Sequence, residues 1–526
     1  MGSSGKEKSL MNIIVVGGGT SGWLTISNLL FRIPKNSNIK ITLIESKDIP
    51  IIGVGESTTG MVYQVLNDHN HLGGVLDFLK KTGATFKYGI KHNNWYGQNH
   101  SFISPIGSTF DNVTGYPTRD YDYIRIFHIA EKMKFEIPLQ NKLMNQNKLY
   151  CINGLPNNPY KDLIGETGYK LVHDYDVAFH IDAFLTGSYL RDYCMNTGRV
   201  NRIEDTIQDV TKNEKGGIKS LKLKSGLEVN GDLFLDCSGW SRILMKYMDV
   251  KFIPYKDNLL VNKAMLFPIK NKEDTLIKNH MTATAQKYGW TFEIPLQDRL
   301  GRGYIFDGDM ISDEQAEEEI KKVYEDVDVK KVIKYDTGRL NKFWIKNVIG
   351  VGLSSHFVEP LEATALHSSI NEVNRFLEYY FTEHMDLYDK NLQDDFNGHM
   401  ISLVDNYRDF LVFHYITPRK DTDFWIESSS EKRWSPELKR KMEIWKKRMP
   451  RQSDYHHYGR EHEIGNSLWL QVGEGMHLFD SEIAKKELHY FNLYEKAKED
   501  LKGIDKFSTY MCEHAMSNNE FYKKYL

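Results

Sequence analysis

The hydrophobic positions of this chain change period along its length, and the changes mark out its architecture. Near the N-terminus an unbroken apolar run, Asn12–Val16, gives way to Gly17-Gly18-Gly19-Thr20-Ser21-Gly22 and then to a helical repeat from Trp23 to about Phe31. A second apolar run, Lys40–Ile44, ends in Glu45. Strand, glycine loop, helix and strand make the opening of a βαβ unit whose buried strands carry continuous hydrophobic runs. Lys219–Lys224 and Glu228–Val229 read as a hairpin around Ser225-Gly226 that returns to the same sheet. Leu233–Asp236 reads as a buried strand closing on a turn through Gly239, and Ile345–Leu353 as one further apolar strand. From about Asn371 onward the pattern is mostly helical, with charged faces and little glycine. The basic stretch Lys439–Arg448 reads as a solvated helix face.

The glycine loop carries the first chemistry. Gly17 permits the turn, Gly19 admits a pyrophosphate close to backbone, and Gly22 lets helix pack on strand. The helix start at Thr20 and Ser21 supplies N–H donors to the phosphates. Glu45, 23 positions after Gly22, stands where such folds bind ribose hydroxyls. The expectation is an adenine dinucleotide site.

Composition narrows the class without choosing a reaction. A net charge of −3 gives no global pull toward nucleic acid or anionic membrane, and no apolar run is long enough to span a bilayer. Cys151, Cys194, Cys237 and Cys512 are scattered without metal or CxxC spacing, which fits free thiols in a cytoplasmic protein. His367, His414, His456, His457 and His462 show no convincing metal spacing, so no metal is expected. Residues 1–10 read as an expression scar ahead of Met11.

Several further segments, in order, resemble the flavin-dependent halogenases of the tryptophan halogenase type. These are Ile52-Gly53-Val54-Gly55-Glu56-Ser57-Thr58, Ala84–Lys91 with Trp95, His180–Asp182, Asp236–Gly239, Thr282–Ala285, Trp290–Pro295 and Phe357–Glu362. Phe292 stands where the family has its second tryptophan. The resemblance implies an α/β fold, with a Rossmann-like FAD lobe of the aromatic-hydroxylase type over residues 11–370. A mainly helical substrate lobe would follow over residues 371–526. It implies FAD held by Gly17, Gly19, Thr20, Ser21, Gly22, Glu45, Ser57, Ile207, Asp236, Leu353 and Leu366. Lys87 and Glu362 would be catalytic, with halide at Thr364 and Ala365. Trp290, Phe292, Ile294 and Pro295 would wall the flavin off from substrate.

The implied reaction uses reduced FAD, oxygen and halide to make hypohalous acid, which halogenates an electron-rich indole or phenol at Lys87. The alternative is an aromatic monooxygenase, which shares the FAD lobe and has no use for that lysine. Elsewhere a lysine is usually just solvated, but desolvation readily turns one into a neutral, reactive amine. Glu362 could equally be a helix-start carboxylate. A separate flavin reductase is expected, because no second glycine fingerprint is present for a nicotinamide cofactor. A small aromatic is the expected partner, nucleic acid and membrane are not, and homo-oligomerisation stays open. Two departures bear on the halide, which is left open among chloride, bromide and iodide. Ala363 replaces the family's serine, and Ala365 replaces its glycine, which strains the backbone if that position needs a positive φ.

Overall fold

The computed structural model describes residues 11–46, 55–106, 122–133, 139–149, 177–382, 384–455 and 464–526. Cys151, His456, His457, His462 and Ile52–Val54 lie outside them.

Continuous apolar runs assemble into a six-stranded sheet. Its order is Trp344–Ile345, Val348–Gly350, Leu233–Asp236, Met11–Val16, Ile39–Glu45 and Val200–Glu204. The five strands from Val348–Gly350 to Val200–Glu204 pair in parallel, as expected of strands covered on both faces. Helix Thr20–Arg32 opens three residues before the sequence pattern suggests, because the glycine loop itself turns into helix at Thr20.

Two of the expected strands sit differently. The hairpin Ile218–Leu223/Glu228–Asn230 does not rejoin this sheet; it pairs with Ile207–Lys212 in a separate three-stranded sheet. Its inward residues Ile218, Leu221 and Leu223 bury instead against a core of their own with Ile14 and Phe234. Ile345–Leu353 is a tight antiparallel turn rather than one strand. Lys346 reverses the chain at φ 55°, and the side-chain amide of Asn347 donates to Ile218 O and Asp232 O.

A second, eight-stranded sheet carries Gly89–Asn93, Ser101–Pro105, Met281–Ala285, Gly289–Pro295 and Arg299–Phe306 side by side. A small antiparallel sheet bridges the two, with Ala178–Ile181 between Glu56–Ser57 and Thr85–Lys87.

The later chain is largely helical, beginning with Thr364–Tyr379 and Lys390–His414. Thr364–Tyr379 crosses residue 370 without a break and packs on Thr20–Arg32, so the two expected lobes share a helix. In the basic helix Pro436–Trp445, Lys441 is buried rather than solvated. Its Nζ lies 5.0 Å from the Trp469 ring centroid. Among the described residues no helix is long and apolar enough to cross a membrane.

Candidate active site

The dinucleotide cradle is built from close approaches that exclude side chains. Gly17 takes φ +109°, and a Cβ there would lie 2.4 Å from Cys237 O. At Gly22 a Cβ would lie 1.9 Å from Gly17 O, while Gly19 faces open space. Helix Thr20–Arg32 has no side-chain cap, so its first N–H groups stay available to phosphate. The Thr20 hydroxyl is already spent on Ala183 O at 2.9 Å. Buried Ser21 Oγ and Ser57 Oγ have no protein partner among the described residues. The residues therefore fit a dinucleotide whose phosphates and hydroxyls would satisfy those groups.

Glu45 lies against Gly18 and pairs with Arg202. The Asp236 carboxylate is fully used inside the protein. It accepts from Ser238 Oγ (2.5 Å), Leu244 N (2.8 Å), Met245 N (2.9 Å) and Ser354 Oγ (3.2 Å), clamping the turn after its strand. Leu353 sits half-buried in the turn Gly352–Ser354, beside Ser21. Leu366 is buried in the first turn of Thr364–Tyr379. Ile207 opens a strand of the separate sheet, and its side chain packs into that sheet's core.

Lys87 ends the strand Thr85–Lys87 and is 1% exposed. Its Nζ donates to Thr58 O at 2.9 Å, tying it to the Glu56–Ser57 segment. Burial lowers the ammonium from its ordinary 10.5 to about 8, opposed by the charge of Glu362. The strand Gly289–Pro295 reaches the same place. Thr85 Oγ1 donates to Pro295 O at 2.5 Å, and Ile294 abuts Gly55, whose φ is +119°. Trp290, Phe292 and Ile294 alternate along Gly289–Pro295 and are buried on one face. Phe292 lies over Gly303, where a Cβ would meet its ring at 2.5 Å. Trp95 stands between Trp290 (ring centroids 6.3 Å) and Tyr415 (5.3 Å), with Trp425 at 5.7 Å.

Glu362 ends the short turn Pro360–Glu362, and its Oε1 is 2.8 Å from His414 Nε2. Ala363 follows in the left-handed region at φ 54°. Thr364 and Ala365 then begin the helix, with no side-chain cap on its N–H groups. The strain expected at Ala365 therefore falls on Ala363. Ala365 has ordinary helical backbone and exposes its methyl.

Three groups escaped the sequence reading. Buried Glu359 accepts from Tyr415 OH at 2.7 Å, and desolvation raises it to about 8, leaving it neutral at pH 7. His414, set aside for want of spacing, reaches Glu362 from a helix more than fifty residues on. His92 is fully buried on the inward face of Gly89–Asn93. Its one signal in the sequence is parity, because it alternates with Ile90 on an amphipathic strand.

Comparison with known proteins places this geometry. The tryptophan halogenase family model matches residues 12–487. A tryptophan 6-halogenase of Streptomyces albogriseolus is 27% identical over 457 residues, covering 84% of this chain and 83% of its own. A tryptophan 7-halogenase of Lentzea aerocolonigenes is also 27% identical, over 87% of each chain. Among solved structures, a flavin-dependent halogenase from Brevundimonas sp. BAL3 superposes with a TM-score of 0.81 at 26% identity, over 99% of this chain and 100% of the other. A tryptophan C-6 flavin-dependent halogenase (chlorinase) from taromycin biosynthesis superposes at 0.84 with 25% identity, over 98% and 99%.

Proposed function

The chain belongs to the tryptophan halogenase family, whose members are flavin-dependent enzymes that halogenate aromatics, and on that premise we propose a Lys87-centred halogenase acting on an indole or phenol. The observation that carries this reading is the buried Lys87 amine, held by Thr58 O and lowered toward neutrality beside Glu362. FAD would sit on Gly17, Gly19, Thr20, Ser21 and Gly22, with Glu45, Ser57, Ile207, Asp236, Leu353 and Leu366 around it. Bound reduced FAD supplies the electrons with which oxygen converts halide into hypohalous acid. A separate flavin reductase would furnish that reduced FAD.

The protein's own part is placement. The uncapped N–H groups at Thr364 and Ala365 offer an anion site for the halide. Trp290, Phe292, Ile294 and Pro295 separate the aromatic from the flavin, so only the small oxidant passes. Lys87 Nζ donates to the oxygen of the hypohalous acid and polarises its bond to halogen. The ring carbon takes the halogen, and hydroxide leaves and is protonated to water. Glu362 removes the proton from the same ring carbon, and the ring regains aromaticity. Glu359, held neutral, keeps a second negative charge out of the wall.

Lys87→Ala tests this directly. With reductase, FAD, NADH and a panel of indoles and phenols, the variant is expected to bind FAD and release hypohalous acid, yet form no halogenated product. Hydroxylated products from both proteins would instead identify an aromatic monooxygenase.

A further inference from the structure

Beside Lys87 the fold gathers three ligating side chains that the sequence scatters. His92 is fully buried, and neither ring nitrogen has a hydrogen-bond partner among the described residues. Its ring stacks on Phe102 at 4.4 Å and lies 5.6 Å from that of His414. His414 is also fully buried, with Nδ1 2.7 Å from Phe410 O. A carbonyl only accepts, so Nδ1 carries a hydrogen and Nε2 is the atom that faces the acceptor Glu362 Oε1, 2.8 Å away. That contact is closed by a proton on Nε2 or by a cation in its place. One ligating atom from each of His92, Glu362 and His414 lies within 4.8 Å of the other two.

We propose that His92, His414 and Glu362 bind a divalent transition ion of the zinc class, and that the ion reversibly switches the enzyme off by occupying the Glu362 carboxylate. Two imidazoles and one carboxylate form a borderline donor set suited to Zn2+, with the fourth position left open. The His414–Phe410 hydrogen bond is the outer-shell contact that sets a ligating tautomer. Bonds of 2.0–2.1 Å put tetrahedral ligands about 3.3 Å apart, so an ion draws His92 inward and parts His414 from Glu362 slightly. His92 has no outer-shell partner, which weakens the site by roughly 10–100-fold against a structural zinc centre. Nearby Lys87 opposes the ion by charge. Reversible occupancy is what this balance favours.

Binding is independent of the proposed halogenation, while the switch rests on it, so the experiment reads them separately. Metal-stripped full-length protein is titrated with Zn2+ against a chromophoric chelator, and with Co2+ for its visible absorption. Wild type is expected to take one ion per chain. His92→Phe, which keeps the stack on Phe102, should bind at least about 10-fold more weakly. His92→Gln provides a second variant, and circular dichroism establishes that each is folded. Equal Zn2+ affinity in wild type and folded variants, or no binding to wild type at millimolar Zn2+, overturns the site.

In the activity arm, Zn2+ should inhibit wild-type halogenation and EDTA should restore it. The inhibited fraction should be much smaller in His92→Phe, with NADH consumption followed to exclude an effect on the reductase. Stoichiometric binding without inhibition overturns the switch. A metal-free enzyme that halogenates nothing overturns the proposed function and leaves the binding result standing.

Discussion

Two buried side chains at this site are held in protonation states that cost stability, with opposite dependence on pH. Lys87 titrates near 8 when folded and 10.5 when not, so between those values the unfolded chain holds a proton the native one lacks. Its contribution to stability therefore rises with pH from about 8 to 10.5, and the penalty is full below 8. Lys87→Met should stabilise the protein at pH 7 by about 3 kcal/mol at most, and the gain should vanish by pH 10.5. Urea melts at both pH values check this. Donation from the Lys87 ammonium to the hypohalous acid predicts a rate that falls as pH passes about 8. Glu359 runs the other way. Folded it titrates near 8 against an ordinary 4.5, so the native state holds the extra proton and stability falls as pH rises through that window. Glu359→Gln, which mimics the neutral acid, should retain activity within about 2-fold and flatten the loss.

At the scale of elements, the turns carry the burden. Ala363 spends its left-handed conformation at the junction between the Glu362 turn and helix Thr364–Tyr379, presenting the carboxylate and the uncapped N–H groups side by side. Ala363→Gly should relieve about 1 kcal/mol of strain, readable as a higher melting temperature. Asp236 binds its strand end to Leu244, Met245 and Ser354, and so holds the strand against the turn that carries Leu353. Asp236→Asn exchanges one acceptor oxygen for a donor. It should cost about 2–3 kcal/mol and weaken FAD binding together, measured by denaturant titration and flavin retention. The glycine loop, both flanking strands and the strand Gly289–Pro295 were legible in sequence, because each depends on local period and glycine placement. The hairpin at 218–230 was legible as a hairpin but not in its partner. Its register is set by a core shared with Phe234 and with Ile14, the latter far away in the chain.

At the scale of the whole molecule, the C-terminal segment returns to the strand Thr85–Lys87. Met516–Ser517 pairs with Lys148–Leu149, and Tyr522 OH accepts from Phe86 N at 2.8 Å, one residue before Lys87. Phe86 and Tyr522 are buried together with Phe521. Tyr522→Phe leaves the Phe86 N–H unpaired inside the protein, an expected cost of about 1–3 kcal/mol, and should lower kcat by loosening the Lys87 strand. Thermal melts and turnover on the same preparation separate the two effects.

What the sequence by itself determined is what neighbours in the chain determine: a βαβ opening, alternation along Trp290–Pro295, a helical latter half and the family to which these motifs belong. Only the tertiary structure decided the company of each charged group. Lys87 is lowered and Glu359 raised because distant segments bury both side chains. His92, Glu362 and His414 become neighbours only when sheet, turn and helix close on one another. Local propensity acts through adjacent residues, while desolvation and ligand geometry depend on which surfaces meet in space, and no spacing in a linear chain encodes that directly.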